Sequence, residues 1–222
     1  MAVQKQTRIQ QAYLAIYNLA LFGIHLLIFV DLLQEKVKKE SFNYNNHYHI
    51  FLIATIAQLG DILNAKLGLT STNIPTALIQ IFGRLLVLVL IRQYYVIWAY
   101  PTTFALLFIY ATIEVIRYPY YFFKVINHEI LTFTFLRYNA WLILYPLGFA
   151  FEGITLYFVF AGFYKSQKYL IKSPFGFGYN IDLSVIAGTG IFLTFPYIVF
   201  TLFKHMWNQR AVQNKNLAKK IR

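Results

Sequence analysis

Long apolar stretches recur about every 25–35 residues along this chain, and that spacing limits the possible folds more than any single motif does. Each stretch is close to the ~20 residues a helix needs to cross a hydrocarbon layer about 30 Å thick. In lipid, every backbone N–H and C=O must find a partner within the protein, so such stretches read as helices. Composition agrees: 59% of the 222 residues are hydrophobic, 13% are charged and the mean hydropathy is +0.53. A soluble domain of this size is rarely so apolar. The expected fold is all-α: a polytopic membrane protein with six transmembrane helices in one bundle, at roughly 13–33, 48–69, 75–99, 101–124, 136–164 and 181–207. These make a single domain over 1–222, with 208–222 a basic tail. The first stretch is too long for the core of a cleaved signal peptide, and no small-residue cleavage site follows it, so it counts as a span.

The formal net charge is +12. Lys and Arg flank the spans, where they face anionic headgroups; this argues for a membrane surface and against nucleic acid. They are more numerous on the side of the termini, so both termini are expected in the cytosol. The tail carries Lys219 and Lys220 just before its end, which resembles the dilysine retrieval signal of endoplasmic reticulum membrane proteins, an address read from the cytosol. The chain has no Cys, which removes disulfides and thiolate catalysis. HExxH, a His-rich box, a Gly-rich phosphate loop and GxSxG are all missing as well, so a metal desaturase, a nucleotide hydrolase and a serine lipase lose support.

Polar residues inside apolar spans are costly and need a reason. His25 in the first span reads as hydrogen-bonded packing. Gln58, Asp61 and Asn64 recur every three residues in the second span and form one stripe. Interhelical hydrogen bonding is the simpler account of it, and a lining for a polar substrate is the other. Arg84 lies in the third span. Glu114 and Arg117 in the fourth are at i, i+3, so they can pair within the helix, either as a structural clamp or as an anchor for a polar headgroup. Tyr145 and Glu152 in the fifth are seven residues apart, close to two helical turns, and share a face. Between them Pro146 frees a carbonyl and bends the helix, while Gly148, with Gly153 beyond, permits close approach. An acid and a phenol about 10 Å apart along a helix can bracket a small reacting centre, one removing a proton from carbon while the other protonates a leaving oxygen. Elimination of water beside a carbonyl is one such reaction among several. A transporter or channel with a path through Asp61, Glu114, Arg117 and Glu152 is the main rival. It would call for internal repeats with matching broken helices, which the sequence lacks. A non-catalytic scaffold is third.

Several stretches together resemble one known family: YLAIYN (13–18), GLTSTNIPT (68–76) followed by Gln80 and Arg84, IEVIRYPYY (113–121) and LRYNAWLILYPLGFAFE (136–152). The chain is similar over nearly its whole length to the 3-hydroxyacyl-CoA dehydratases of very-long-chain fatty acid elongation, also called protein-tyrosine-phosphatase-like. The family's E-x-x-R-Y falls on Glu114, Arg117 and Tyr118, and its Y-P-x-G-x-x-x-E on Tyr145, Pro146, Gly148 and Glu152. The resemblance implies that Tyr145 and Glu152 are the catalytic pair, and that (3R)-3-hydroxyacyl-CoA loses water to give trans-2-enoyl-CoA. Arg84, Arg117 and Arg137 become candidates for holding the thioester oxygen or the CoA phosphates, with Glu114, Tyr118 and Gly148 as further candidates for the substrate site. No metal and no cofactor is implied, CoA being part of the substrate. The implied partners are the long-chain 3-hydroxyacyl-CoA, the lipid bilayer and the elongase, 3-ketoacyl-CoA reductase and enoyl-CoA reductase of the same cycle. The sequence departs from the family at one point: its L-E-x-x-H appears here with Asp61 for Glu and Asn64 for His. A tyrosine phosphatase needs a nucleophilic Cys, and this chain has none.

Overall fold

Asn43 marks where the second helix begins: its side chain accepts from the backbone of Asn45, and the chain turns helical at Tyr44, ahead of the expected span. The computed structural model describes residues 7–38, 41–128, 130–171 and 180–221, with side chains as far as Val212. Among these the order is α1 (Arg8–Lys38), α2 (Tyr44–Ala57), α3 (Leu59–Lys66), α4 (Ile74–Gln93), α5 (Pro101–Val125), α6 (Leu131–Asn139), α7 (Trp141–Lys165) and α8 (Leu183–Ile221). A two-residue antiparallel pair, β1 (Leu170–Ile171) with β2 (Ile181–Asp182), joins α7 to α8. Residues 172–179, half of the basic stretch 165–180 between the last two expected spans, fall outside the described residues, as do the side chains of Lys219 and Lys220.

The all-α expectation holds. Four helices are long and apolar enough to cross a membrane: α1, α4, α7 and α8 as far as Val212. The remaining two expected spans differ in kind. The stretch 48–69 is two helices meeting at Gln58, because the polar stripe is drawn inward to hydrogen-bond partners described below. The helix α5 is long enough at 25 residues but carries Glu114, Arg117 and Lys124.

One further expectation needs correcting. The stretch 136–164 is not one helix: α6 ends at Asn139 and α7 starts at Trp141. The Asn139 amide donates to the Phe135 carbonyl and the Trp141 indole to the Tyr138 carbonyl, so side chains satisfy the end of α6. The tail 208–222 continues α8 through Ile221. Its Gln, Lys and Ala are good helix formers; hydropathy marks the end of a span and not the end of a helix. Where α4 begins, the sequence was a better guide. Pro75 sits in its first turn, and the Asn73 side chain accepts from Thr76 N.

The helix α5 is central, with α1 packed along it and α7 on another side; α4 packs on α2 and α7, and α8 on α7. The apolar core lies toward one end of the molecule. Leu32 of α1, Phe51 of α2, Leu88 and Ile91 of α4, Leu106 and Leu107 of α5 and Val159 and Phe163 of α7 are all buried in one cluster. Large apolar side chains also point outward, among them Leu193, Tyr197 and Phe200 of α8. An outward apolar face is what lipid contact requires, and the fold is that of a helical membrane protein.

Candidate active site

Toward the other end, past the apolar core, α1, α3, α4 and α5 converge on a chain of charges. Glu114 of α5 is fully buried. Arg84 Nη1 of α4 donates to its Oε1 at 2.7 Å, and Arg117 Nε lies 2.9 Å from its Oε2. Arg117 Nη2 reaches Asp61 Oδ2 at 3.2 Å and donates to the Tyr118 hydroxyl at 2.7 Å. The Tyr118 hydroxyl in turn donates to Asp61 Oδ2, and Tyr17 of α1 donates to Asp61 Oδ1 at 3.0 Å. Two carboxylates and two guanidiniums leave no net formal charge, the condition under which charges are tolerated away from water.

The stripe of α2–α3 is thereby accounted for in part. The Gln58 side chain accepts from Arg84 and contacts His25 Nε2 at 3.3 Å. His25 also bonds the Leu21 carbonyl and stacks on Tyr118, which is the packing role expected for it. Asn64, at the position of the family's His, is only 1% exposed, and its side-chain amide has no hydrogen-bond partner. Packing is tight here: a Cβ on Gly60 would lie 2.8 Å from the Tyr17 hydroxyl. Gly60→Ala is expected to push Tyr17 off Asp61 and to destabilise the protein by about 1–3 kcal/mol, read as a lowered melting temperature in detergent. An unchanged melt would mean that the Tyr17 ring moves without losing Asp61.

Tyr145 and Glu152 lie on α7 beside this cluster and make no direct hydrogen bond to each other. Each is held from across a helix interface. Gln80 Nε2 of α4 donates to the Tyr145 hydroxyl at 3.3 Å. The Tyr110 hydroxyl of α5 donates to Glu152 Oε1. Arg84 lies over the Tyr110 ring, its guanidinium carbon 4.6 Å from the centroid. Gln80 and Arg84 are one turn apart on α4, so that single helix reaches toward both groups. Pro146, inside α7, leaves the Leu142 carbonyl without its usual donor. Gly148 is buried in α7, where a Cβ would make ordinary contact, 3.5 Å from Ile109 of α5.

Tyr145 also borders a shallow open cleft between α5, α6 and α7, shared with Arg117 and Arg137. Arg137 donates to the Tyr121 hydroxyl at 3.4 Å and forms none of the ion pairs found among the described residues. Of the three candidate arginines, Arg84 and Arg117 are committed to carboxylates and Arg137 is not. Among the described residues no group of three or more His, Asp or Glu could hold a metal.

Glu114 and Arg117 thus pair within α5 as their spacing allowed, and the structure adds Arg84 and Tyr118 to the same cluster, while Tyr17 and Tyr110 were not singled out from the sequence. Tyr110 had a signal: it precedes Glu114 by four and Tyr118 by eight, one stripe along α5. Tyr17 lies in YLAIYN (13–18), one of the stretches that carry the family resemblance, but no periodicity sets it apart from its neighbours.

A multi-helix membrane protein with a neutralised ionic cluster beside a phenol and a carboxyl, both open to acid–base work, is the class defined so far. The family model described as "Protein tyrosine phosphatase-like protein, PTPLA" matches residues 55–216, and the chain belongs to that family. Among curated relatives, "Very-long-chain (3R)-3-hydroxyacyl-CoA dehydratase" of Danio rerio is 26% identical over 208 residues, 91% of this chain and 58% of the relative. "Very-long-chain (3R)-3-hydroxyacyl-CoA dehydratase 3" of Mus musculus is 28% identical over 220 residues, 97% of this chain and 60% of the relative. "Very-long-chain (3R)-3-hydroxyacyl-CoA dehydratase 2" of Mus musculus is 30% identical over 216 residues, 90% of this chain and 79% of the relative. The chain therefore spans about three fifths of the length of the first two. No solved structure matches it.

Proposed function

We propose that this protein removes water from a long-chain (3R)-3-hydroxyacyl-CoA to give the trans-2-enoyl-CoA, with Glu152 as base and Tyr145 as acid. The names of its relatives supply the substrate class. The observation that carries the roles is that each group receives a hydrogen bond suited to its task. Tyr110 donates to Glu152, which favours an accepting carboxylate; Gln80 donates to the Tyr145 oxygen, which favours the phenolate left when Tyr145 gives up its proton. In the step, a Glu152 oxygen takes the C2 proton and the C–H electron pair becomes the C2=C3 bond. The C3–O bond breaks, and the hydroxyl leaves as water with the Tyr145 proton. Glu152 then returns a proton to Tyr145 through solvent, which restores both groups.

Arg137, uncommitted and beside Tyr145 in the cleft, is suited to the thioester oxygen or a CoA phosphate. The acyl chain lies among the helices. The six-span bundle is part of the same proposal: α5 packs along α1 and α7, both long enough to span, and α2–α3 forms the sixth crossing. The setting is the endoplasmic reticulum membrane with both termini in the cytosol. A 3-ketoacyl-CoA reductase supplies the substrate, an enoyl-CoA reductase consumes the product, and an elongase closes the cycle.

The test is purified protein in detergent with 3-hydroxyacyl-CoAs of several chain lengths, following enoyl-CoA by mass spectrometry. Tyr145→Phe is expected to lower turnover by about 10²–10⁴-fold with the protein still folded. No product from folded wild-type protein at any chain length would overturn the activity; substantial turnover by Tyr145→Phe would remove that residue from the mechanism.

A further inference from the structure

We infer that Tyr110 is a positioning residue that fixes the Glu152 carboxylate for proton abstraction, an inference that rests on Glu152 being the base. Three observations converge on it. Tyr110 is 5% exposed and belongs to the apolar core, so its ring has one place to be. Its hydroxyl donates to Glu152 Oε1 and it is that carboxyl's hydrogen-bond partner. Arg84 lies over the ring face, and Arg84 is itself tied to Glu114 at 2.7 Å.

The physical reason for such a residue is the freedom of a Glu side chain. Its terminal torsion is broad and nearly two-fold, so an unheld carboxylate swings between many orientations. A donor fixed on Oε1 leaves Oε2 as the oxygen presented to substrate, in one direction. Preorganisation of this kind removes reorientation from the chemical step. The guanidinium on the π face draws electron density from the phenol and strengthens its O–H as a donor. Holding Tyr110 between Arg84 and Glu152 also ties the base to the ionic cluster, through α4 and α5, and not only to its own helix.

Tyr110→Phe removes the hydroxyl and keeps the ring, the burial and the Arg84 contact, so the melting temperature in detergent should hold. The assay compares wild type, Tyr110→Phe and Glu152→Gln with ordinary and C2-deuterated 3-hydroxyacyl-CoA. Tyr110→Phe is expected to lower kcat about 10–100-fold with KM within about twofold, the pattern of an interaction that matters in the transition state. Its isotope effect on kcat should rise, because abstraction of the C2 proton has been slowed selectively. A wild-type kcat, a loss expressed in KM alone, or a lower kcat with an unchanged isotope effect would each overturn the positioning role; the last would mark Tyr110 as structural. Glu152→Gln separates the two levels. If it stays active, the base assignment has failed. If it is inactive while Tyr110→Phe behaves as wild type, this inference has failed alone.

Discussion

Glu152→Gln is expected to abolish turnover while leaving the protein folded. The amide has nearly the shape of the carboxyl, and its oxygen still accepts from the Tyr110 hydroxyl, so the helix contacts among α4, α5 and α7 are retained. What is lost is a group able to take a proton from carbon. General-base catalysis is worth about 10²–10⁴-fold, and the carboxylates of the neighbouring ionic cluster are not free to replace it. Asp61 and Glu114 are engaged by Arg117 and Arg84. The measurement is enoyl-CoA formation by mass spectrometry beside a melting curve. Residual turnover near the wild-type rate in a folded sample would move the base elsewhere.

Glu114→Ala should produce the largest loss of stability. The side chain is fully buried and binds two guanidiniums, Arg84 from α4 and Arg117 one turn on in α5. Truncating it leaves two cations facing one carboxylate, Asp61. Breaking a buried pair from one side costs about 3–5 kcal/mol, since the orphaned guanidiniums are only slightly exposed and lose the carboxylate between them. Glu114→Gln, which keeps an acceptor for Arg84, should cost less. Thermal unfolding in detergent would show Glu114→Ala lowest, Glu114→Gln between it and wild type. Equal melting for all three would mean that Asp61 and entering water satisfy both arginines, and that the cluster is no keystone.

How much of this was legible beforehand follows from what periodicity can and cannot carry. Helical periodicity put Tyr145 and Glu152 on one face and paired Glu114 with Arg117 inside α5, because contacts at i, i+3 and i+7 depend on helix geometry alone. The Gln58–Asp61–Asn64 stripe was legible as inward-facing for the same reason, and two of its three members have found partners. Hydropathy located α1, α4, α5, α7 and α8 but blurred their ends. It missed the break at Gln58, whose side chain turns to Arg84 and His25, and the one at Ala140, beside which the Asn139 and Trp141 side chains donate to backbone carbonyls.

The partners across helices were another matter. Tyr110 on Glu152, Gln80 on Tyr145, Arg84 on Glu114 and Tyr17 on Asp61 join residues 30 to 65 positions apart. No local spacing encodes such pairs. The sequence by itself determined a helical membrane protein with a phenol and a carboxyl on one face of a helix that carries a proline between them, because hydropathy and helical period are properties of a single segment. Only the tertiary structure decided which arginines are neutralised, that Arg137 beside Tyr145 bonds Tyr121 and no carboxylate among the described residues, and that Tyr110 holds Glu152. Those depend on how α4, α5 and α7 pack together, and packing is a property of several segments at once.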